Sequence, residues 1–411
     1  MTVPLPPATP SPSAPALDDL RRTPNALAAH YTAFRVSERL LLTGHSHQAW
    51  PDVAAEGQAE AFTDAARAVD EKWELAQAKA HVVAAEFAAL LDDDGGDVAL
   101  GASTHDLLLR FLSAVDLPAR PRLVTTDGEF HTVRRQFGRL AEEGVEVVRV
   151  AADPVDTLAE RLAAEVDDRT AAVLVSLVLF ETSHIVSGLD AVAQACRKHG
   201  AEFVLDAYHA LGVLDVSLLA LGLTDAWVLG GGYKYLQLGE GNCFLRVPPH
   251  AQRLRPVVTG WFAEFADLDA EPGTQVGYPV GAARFAGSTY DPTSHYRAAR
   301  VFEFRHAQGL HPSFLREVAQ HQLGLLADAF DALDLPADVV DRDRSVPLDQ
   351  LGGFLALRSP QAQRLRQALT ARGVSTDSRG QRLRFGPAPY LSDTQLRDAM
   401  HALGEVATRL I

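Results

Sequence analysis

Short, uninterrupted apolar runs punctuate the chain: RLVTT, VEVVRVA, AAVLVSLVLF, EFVLDA and AWVLGG. They are rich in Val and Leu, and amphipathic segments long enough to be helices lie between them. Runs that are apolar throughout suit strands covered on both faces. Their alternation with helices predicts an α/β domain with a mostly parallel central sheet. Upstream, apolar residues recur at helical spacing from roughly Ala55 to Leu91, which predicts one long helix, and DDDGGD at 92–97 reads as the solvated turn that ends it. Downstream, an amphipathic helix is predicted from about Tyr296 past Leu310. The segments LGGFLAL, PQAQRLRQALTARG, QRLRFG and DTQLRDAMHALGEVATRL then read as strand, helix, strand and helix. Three regions follow: a disordered arm over 1–20, a large domain over 21–295 that includes the N-terminal helical segment, and a smaller C-terminal α+β domain over 296–411.

Composition narrows the function. A length of 411 residues suits one large domain with a smaller one. The net charge of −15 argues against nucleic acid as a partner, because a phosphate backbone needs a basic face. No apolar run reaches the roughly 18 residues that a bilayer span requires. The start, MTVPLPPATPSPSAPALDD, has neither a basic end nor an apolar stretch and reads as a disordered arm, not a signal peptide. Cys196 and Cys243 are the only cysteines. They exclude a disulfide framework and point to a reducing cytoplasm.

Open α/β sheets bind ligands at the carboxyl ends of their strands. The run EFVLDAYHALG ends a strand in Asp206 and sets His209 three positions on; AWVLGGGYKYLQLGEG ends the next in glycines and then presents Tyr233 and Lys234. A lysine that forms a Schiff base must be desolvated enough to hold a neutral amine. Glycines let a backbone approach a bulky ligand, and an aspartate beside a pyridine nitrogen keeps that nitrogen protonated. Alone, Lys234 reads as a surface lysine and Asp206 as a helix cap. At the ends of two successive predicted strands they read together as a cofactor site.

The stretch from Ala171 to Phe262 resembles the kynureninases, a branch of the class V aminotransferase superfamily. Asp206, His209 and Gly212 match D-x-x-H-x-x-G. Tyr233, Lys234, Tyr235 and Leu236 match Y-K-Y-L, with Gly239 and Gly241 after them, and Gly260, Trp261 and Phe262 match G-W-F. The resemblance implies the aspartate-aminotransferase-like fold of type I pyridoxal 5′-phosphate (PLP) enzymes, with PLP as cofactor. It implies that Ser103 and Thr104 hold the phosphate at a helix N-terminus, where their plain reading is helix caps. Phe130 would stack on the ring, Asp206 would pair with its nitrogen and His209 would lie close by. Tyr233 would donate to the phosphate and assist catalysis, and Lys234 would carry the cofactor. Trp261, Ser288 and Thr289 would reach the phosphate of a neighbouring subunit in a homodimer. Arg384, in RLRFGPAPY, would grip the substrate α-carboxylate.

Several positions depart from the family. G-N-S-L-G appears as Gly44, His45, Ser46, His47 and Gln48, and Val133 stands where an aspartate follows the stacking aromatic. The histidine that recognises the arylketone has no counterpart before Trp73, and Ser288 and Thr289 replace the substrate-side asparagine. The cofactor machinery is kept while the side-chain pocket is altered. His45 and His47 lack carboxylates or cysteines at ligand spacing, so no metal is expected. They are placed at the substrate pocket, with His184, Tyr290, Asp291 and His295 as further candidate contacts. The leading expectation is kynureninase-like hydrolytic Cβ–Cγ cleavage. The alternative is an aminotransferase or a β/γ-lyase on another amino acid, and a protein that has lost catalysis is disfavoured by the intact Lys234, Asp206 and Arg384. A desulfurase needs a mobile nucleophilic cysteine, whereas Cys243 in GNCFLRV reads as buried strand.

Overall fold

The computed structural model describes residues 14–267 and 273–409. After a two-residue strand β1 (Leu40–Leu41), seven strands build the central sheet: β2 (Asp97–Gly101), β3 (Arg122–Thr126), β4 (Glu146–Val150), β5 (Thr170–Ser176), β6 (Glu202–Asp206), β7 (Trp227–Gly231) and β8 (Cys243–Val247). Their order is β2-β8-β7-β6-β5-β3-β4. The pairs from β7 to β4 are parallel, and β8 runs antiparallel to both of its neighbours. All seven residues of β5 are buried, which is why its run is apolar throughout. The covering helix Leu189–His199 shows the complementary pattern. Leu189, Val192, Ala193 and Cys196 face inward at helical spacing, and Arg197, Lys198 and His199 sit at the negative end of its dipole.

The C-terminal part carries a four-stranded sheet of order β12-β13-β10-β9, from β9 (Asp341–Arg342), β10 (Leu355–Arg358), β12 (Asp377–Arg379) and β13 (Arg382–Phe385). Strand β11 (Val374–Ser375) pairs in parallel with β1. Helices Pro312–Asp331, Ala362–Thr370 and Asp393–Ala407 complete this part.

Three expectations shift. The long helix over 55–91 is two helices, Val53–Ala68 and Lys72–Ala89, separated where Val69 takes a positive φ of 49°. The helix from Tyr296 begins at Thr293 and stops at Ala307; Gly309 at φ 64° and Pro312 separate it from the next one. Of the arm over 1–20, residues 1–13 lie outside the described residues, while Leu17–Arg21 are helical with Leu20 buried. Leu20, Leu27, Tyr31 and Leu42 join one apolar core with Leu357, Leu383 and Met400. Asn25 fixes that junction: its side chain caps a turn at Leu27 N–H (2.8 Å) and donates to the carbonyls of Leu20 (2.6 Å) and Pro389 (2.9 Å). The N-terminal segment therefore packs with the C-terminal part.

Leu27 is fully buried in that core. Leu27→Ala is predicted to cost about 2–5 kcal/mol of stability, read as a lowered urea midpoint. An unchanged midpoint would mean that the N-terminal segment is not part of the core.

Candidate active site

The ends of β6 and β7 lie side by side, with Asp206 registered against Leu229. This brings together the residues that the sequence pairs. Thr104, Phe130, Thr132, Val133, Asp206, Tyr208, His209, Leu229, Tyr233 and Lys234 line one cavity. Lys234 is buried, and its Nζ lies within hydrogen-bond distance of His209 Nε2, at 2.8 Å. The same nitrogen lies 4.6 Å from the Tyr208 ring centre, 5.2 Å from that of Phe130 and 5.6 Å from that of Tyr233. The chain has four lysines, Lys72, Lys79, Lys198 and Lys234, and only the last is buried.

Burial dominates the electrostatics. Desolvation pulls the Lys234 amine down to about 7, with Arg384 pushing the same way and Asp206 opposing. Desolvation likewise raises the Asp206 carboxyl, against the Tyr208 N–H and Lys234. His209 is held well below the usual imidazole range, first by burial and then by Lys234, and is neutral. Asp206 Oδ1 accepts from Tyr208 N–H at 2.8 Å, and among the described residues nothing donates to Oδ2. That oxygen is free to take a proton-bearing ring nitrogen.

Phe130 begins the helix His131–Glu142 and packs edge-on against Phe180, with centroids 5.4 Å apart. Its position is set by buried Glu129, which accepts from Ser176 Oγ (2.5 Å), Ser176 N–H (3.2 Å) and Thr126 Oγ1 (2.8 Å). Burial raises Glu129 to about 7. Thr104 opens the helix Thr104–Leu112 at the cavity, whereas Ser103 is its cap and accepts from Asp106 N–H at 3.2 Å. The cap uses one acceptor site of the Ser103 hydroxyl and leaves its O–H free to donate.

The glycines at 230–232 are also required by the packing of the protein itself. A Cβ on Gly230 would strike Phe244, one on Gly231 would strike Tyr208, and one on Gly232 would strike Leu238. They make room for protein side chains, among them Tyr208, which lines the cavity. Tyr208, missed in the sequence, fills the space that Gly231 leaves.

Arg384 is buried on β13 beside the same region, held by Asp377 and by the Phe180 carbonyl. His45 is buried and meets Asp377 at 3.2 Å, while His47 is exposed and stacks on Tyr233 with centroids 4.9 Å apart. Trp261, Ser288 and Thr289 are exposed and line no part of the Lys234 cavity, although Trp261 Nε1 donates to Thr289 Oγ1 at 3.0 Å. Tyr290 and His295 bond each other at 2.6 Å, His184 lies against Asp343 and Leu351, and Asp291 caps Thr293. None of these four lines the cavity.

Residues 345–403, which include Arg384, match the family model of the kynureninase C-terminal domain. Over 343 residues the chain is 25% identical to the uncharacterized aminotransferase YcbU of Bacillus subtilis (strain 168), covering 82% of this chain and 86% of that one. Among solved structures it resembles a C-DES mutant with glycine covalently linked to its PLP cofactor (TM-score 0.80, 14% identity, 92% of this chain and 98% of that one). It also resembles the apo cysteine desulfurase of Thermococcus onnurineus NA1 (TM-score 0.74, 15% identity, 94% and 98%). The fold is the type I fold expected from the sequence, with its mostly parallel sheet and C-terminal part.

Lys234 is predicted to lose its proton near pH 7. Its carbamylation by cyanate in the apoprotein should rise from about pH 6 and level off above about pH 8. A Lys234 rate that still climbs steeply at pH 9 would contradict the assignment.

Proposed function

We propose that this protein is a PLP-dependent enzyme acting on an α-amino acid, by kynureninase-like hydrolytic Cβ–Cγ cleavage of kynurenine or a related substrate. The observation that carries the reading is the one buried lysine, held near neutrality in a cavity between an aromatic face and an unpaired carboxylate oxygen. The cavity fits PLP in its donor set. Lys234 suits the aldehyde, Phe130 the ring face, Asp206 Oδ2 the ring nitrogen, and Thr104 at a helix N-terminus the phosphate. When bound, PLP supplies an electron sink for charge developing at the substrate α-carbon.

The chain's own groups supply the rest. Lys234 Nζ, largely neutral above pH 7, would hold the cofactor and would take the proton from the substrate Cα. His209, uncharged, is hydrogen-bonded to that amine through Nε2 and adds no cation to the cavity. Asp206 Oδ2 would accept from the ring nitrogen, whose positive charge would favour the carboxylate form against the burial that raises it. Arg384 would orient the α-carboxylate, and Tyr233, under the His47 ring, lines the cavity and would donate a proton.

The match over 345–403 supports the kynureninase reading, since it spans the carboxylate-binding arginine. A lyase or aminotransferase is the second reading, favoured by Ser288 and Thr289 standing where the family has asparagine. Sulfur transfer through a cysteine is not favoured: Cys243 is buried in β8, and burial pushes its thiol up to about 11. The reading includes a cytoplasmic homodimer. Two buried free cysteines support the reducing compartment. The exposed Trp261, Ser288 and Thr289 support a second subunit whose phosphate they would reach; light scattering at twice 44.3 kDa would test this. No helix among the described residues is long and apolar enough to cross a membrane.

PLP-loaded protein should release aryl amine and alanine from L-kynurenine or 3-hydroxykynurenine, and Lys234→Ala should lower the rate at least about 10³-fold. Pyruvate from L-cystine, or amino transfer to a 2-oxo acid, without aryl amine would replace the hydrolase by the second reading. No turnover or spectral change with any amino acid would overturn both.

A further inference from the structure

Arg384 has five N–H donors, and three are taken by the protein. Nε reaches Asp377 Oδ1 at 2.7 Å, Nη2 reaches Asp377 Oδ2 at 2.6 Å, and Nη1 donates to the Phe180 carbonyl. The pair is built into the sheet, because Asp377 on β12 stands directly opposite Arg384 on β13 in the antiparallel register. The rings of Phe354 and Phe180 lie 5.5 and 6.0 Å from the guanidinium carbon. Two further groups converge on the same carboxylate. His45 Nε2 lies 3.2 Å from Oδ1, and Arg379 Nη2 lies 3.7 Å from Oδ2.

We propose that Asp377 is a positioning residue, an internal counter-anion that fills the Nε–Nη2 edge of Arg384 so that a substrate α-carboxylate can meet only the one N–H left on Nη1 and the one left on Nη2. This rests on the reading of Arg384 as the carboxylate-binding residue. The Nε–Nη2 edge is the one that forks most readily onto a free carboxylate. Were it open, an amino acid could dock on it in a second orientation, with its α-carbon displaced from Lys234. Asp377 removes that choice.

Charge supports the same role. Arg384 and Arg379 with Asp377 carry a net charge of +1, which one carboxylate neutralises. His45 adds none, since burial above all lowers it to about 4 and its Nε2–H is directed at Asp377. A more positive site would hold any small anion and delay its release. Asp377 thus sets both the orientation and the number of carboxylates that the site accepts.

The probe is acetate, titrated calorimetrically into PLP-loaded protein. Asp377→Asn keeps one acceptor oxygen, so it frees one N–H of the edge, and it raises the local charge to +2; acetate should then bind at least about tenfold more tightly than to the unmodified protein. Asp377→Glu restores the charge and should return the affinity toward its original value. Damage to the fold alone weakens anion binding, so the direction of change separates positioning from support. If Asp377→Asn does not fold, Asp377→Ser opens the same edge. Acetate binding that is unchanged or weaker in the folded variant overturns the role of Asp377.

A companion titration compares L-alanine with ethylamine, which lacks the carboxylate, on Arg384→Lys. Loss of the preference for L-alanine upholds Arg384 and leaves the acetate result to decide on Asp377. A preference kept intact overturns the reading of Arg384, and the proposal with it.

Discussion

A lysine amine buried away from bulk solvent is the constraint on which the site depends. Removing an ammonium from water is costly enough that the group gives up its proton instead. In this chain that brings Lys234 to about 7. A neutral amine is nucleophilic, and an amine near neutrality both takes and returns protons at physiological pH. Every neighbour respects the condition. His209 is uncharged, the Tyr208, Tyr233 and Phe130 rings surround Nζ, and the one close carboxylate, Asp206, opposes the shift without abolishing it.

The residues that line the Lys234 cavity all come from the large part, and the C-terminal core lies next to them. The central sheet delivers Asp206 and Lys234 from adjacent strand ends, and the C-terminal sheet delivers Arg384 and Asp377 from paired strands. Phe354, buried in the C-terminal part, contacts His45 and Arg384 through its ring and faces His209 at 6.4 Å. The N-terminal segment, which carries His45 and His47, packs with the C-terminal core and lays His47 over Tyr233. Residues far apart in sequence thus depend on one junction for their geometry.

Much of this was legible in the chain. Asp206 and Lys234 could be placed because an apolar run fixes where a strand ends, and chemistry in an open sheet gathers there. Tyr208 was not, since an aromatic two positions after the aspartate reads equally as core; only the space at Gly231 shows its place. The glycines were read as room for a ligand because the sequence does not show which side chains press on them. Asp377 was invisible for a different reason. It lies in TDSRG, a polar stretch that looks like a loop, and its meaning comes from cross-strand register with Arg384. Trp261, Ser288 and Thr289 were expected at a partner's phosphate, and their exposure away from Lys234 leaves them available for it.

The most direct test of the account is where PLP attaches. The apoprotein is incubated with PLP at neutral pH, reduced with borohydride and mapped by peptide mass spectrometry. The account predicts one adduct, on Lys234, that is lost in Asp206→Ala or formed there more slowly. An adduct spread over Lys72, Lys79 and Lys198, with Lys234 unmodified, would contradict it.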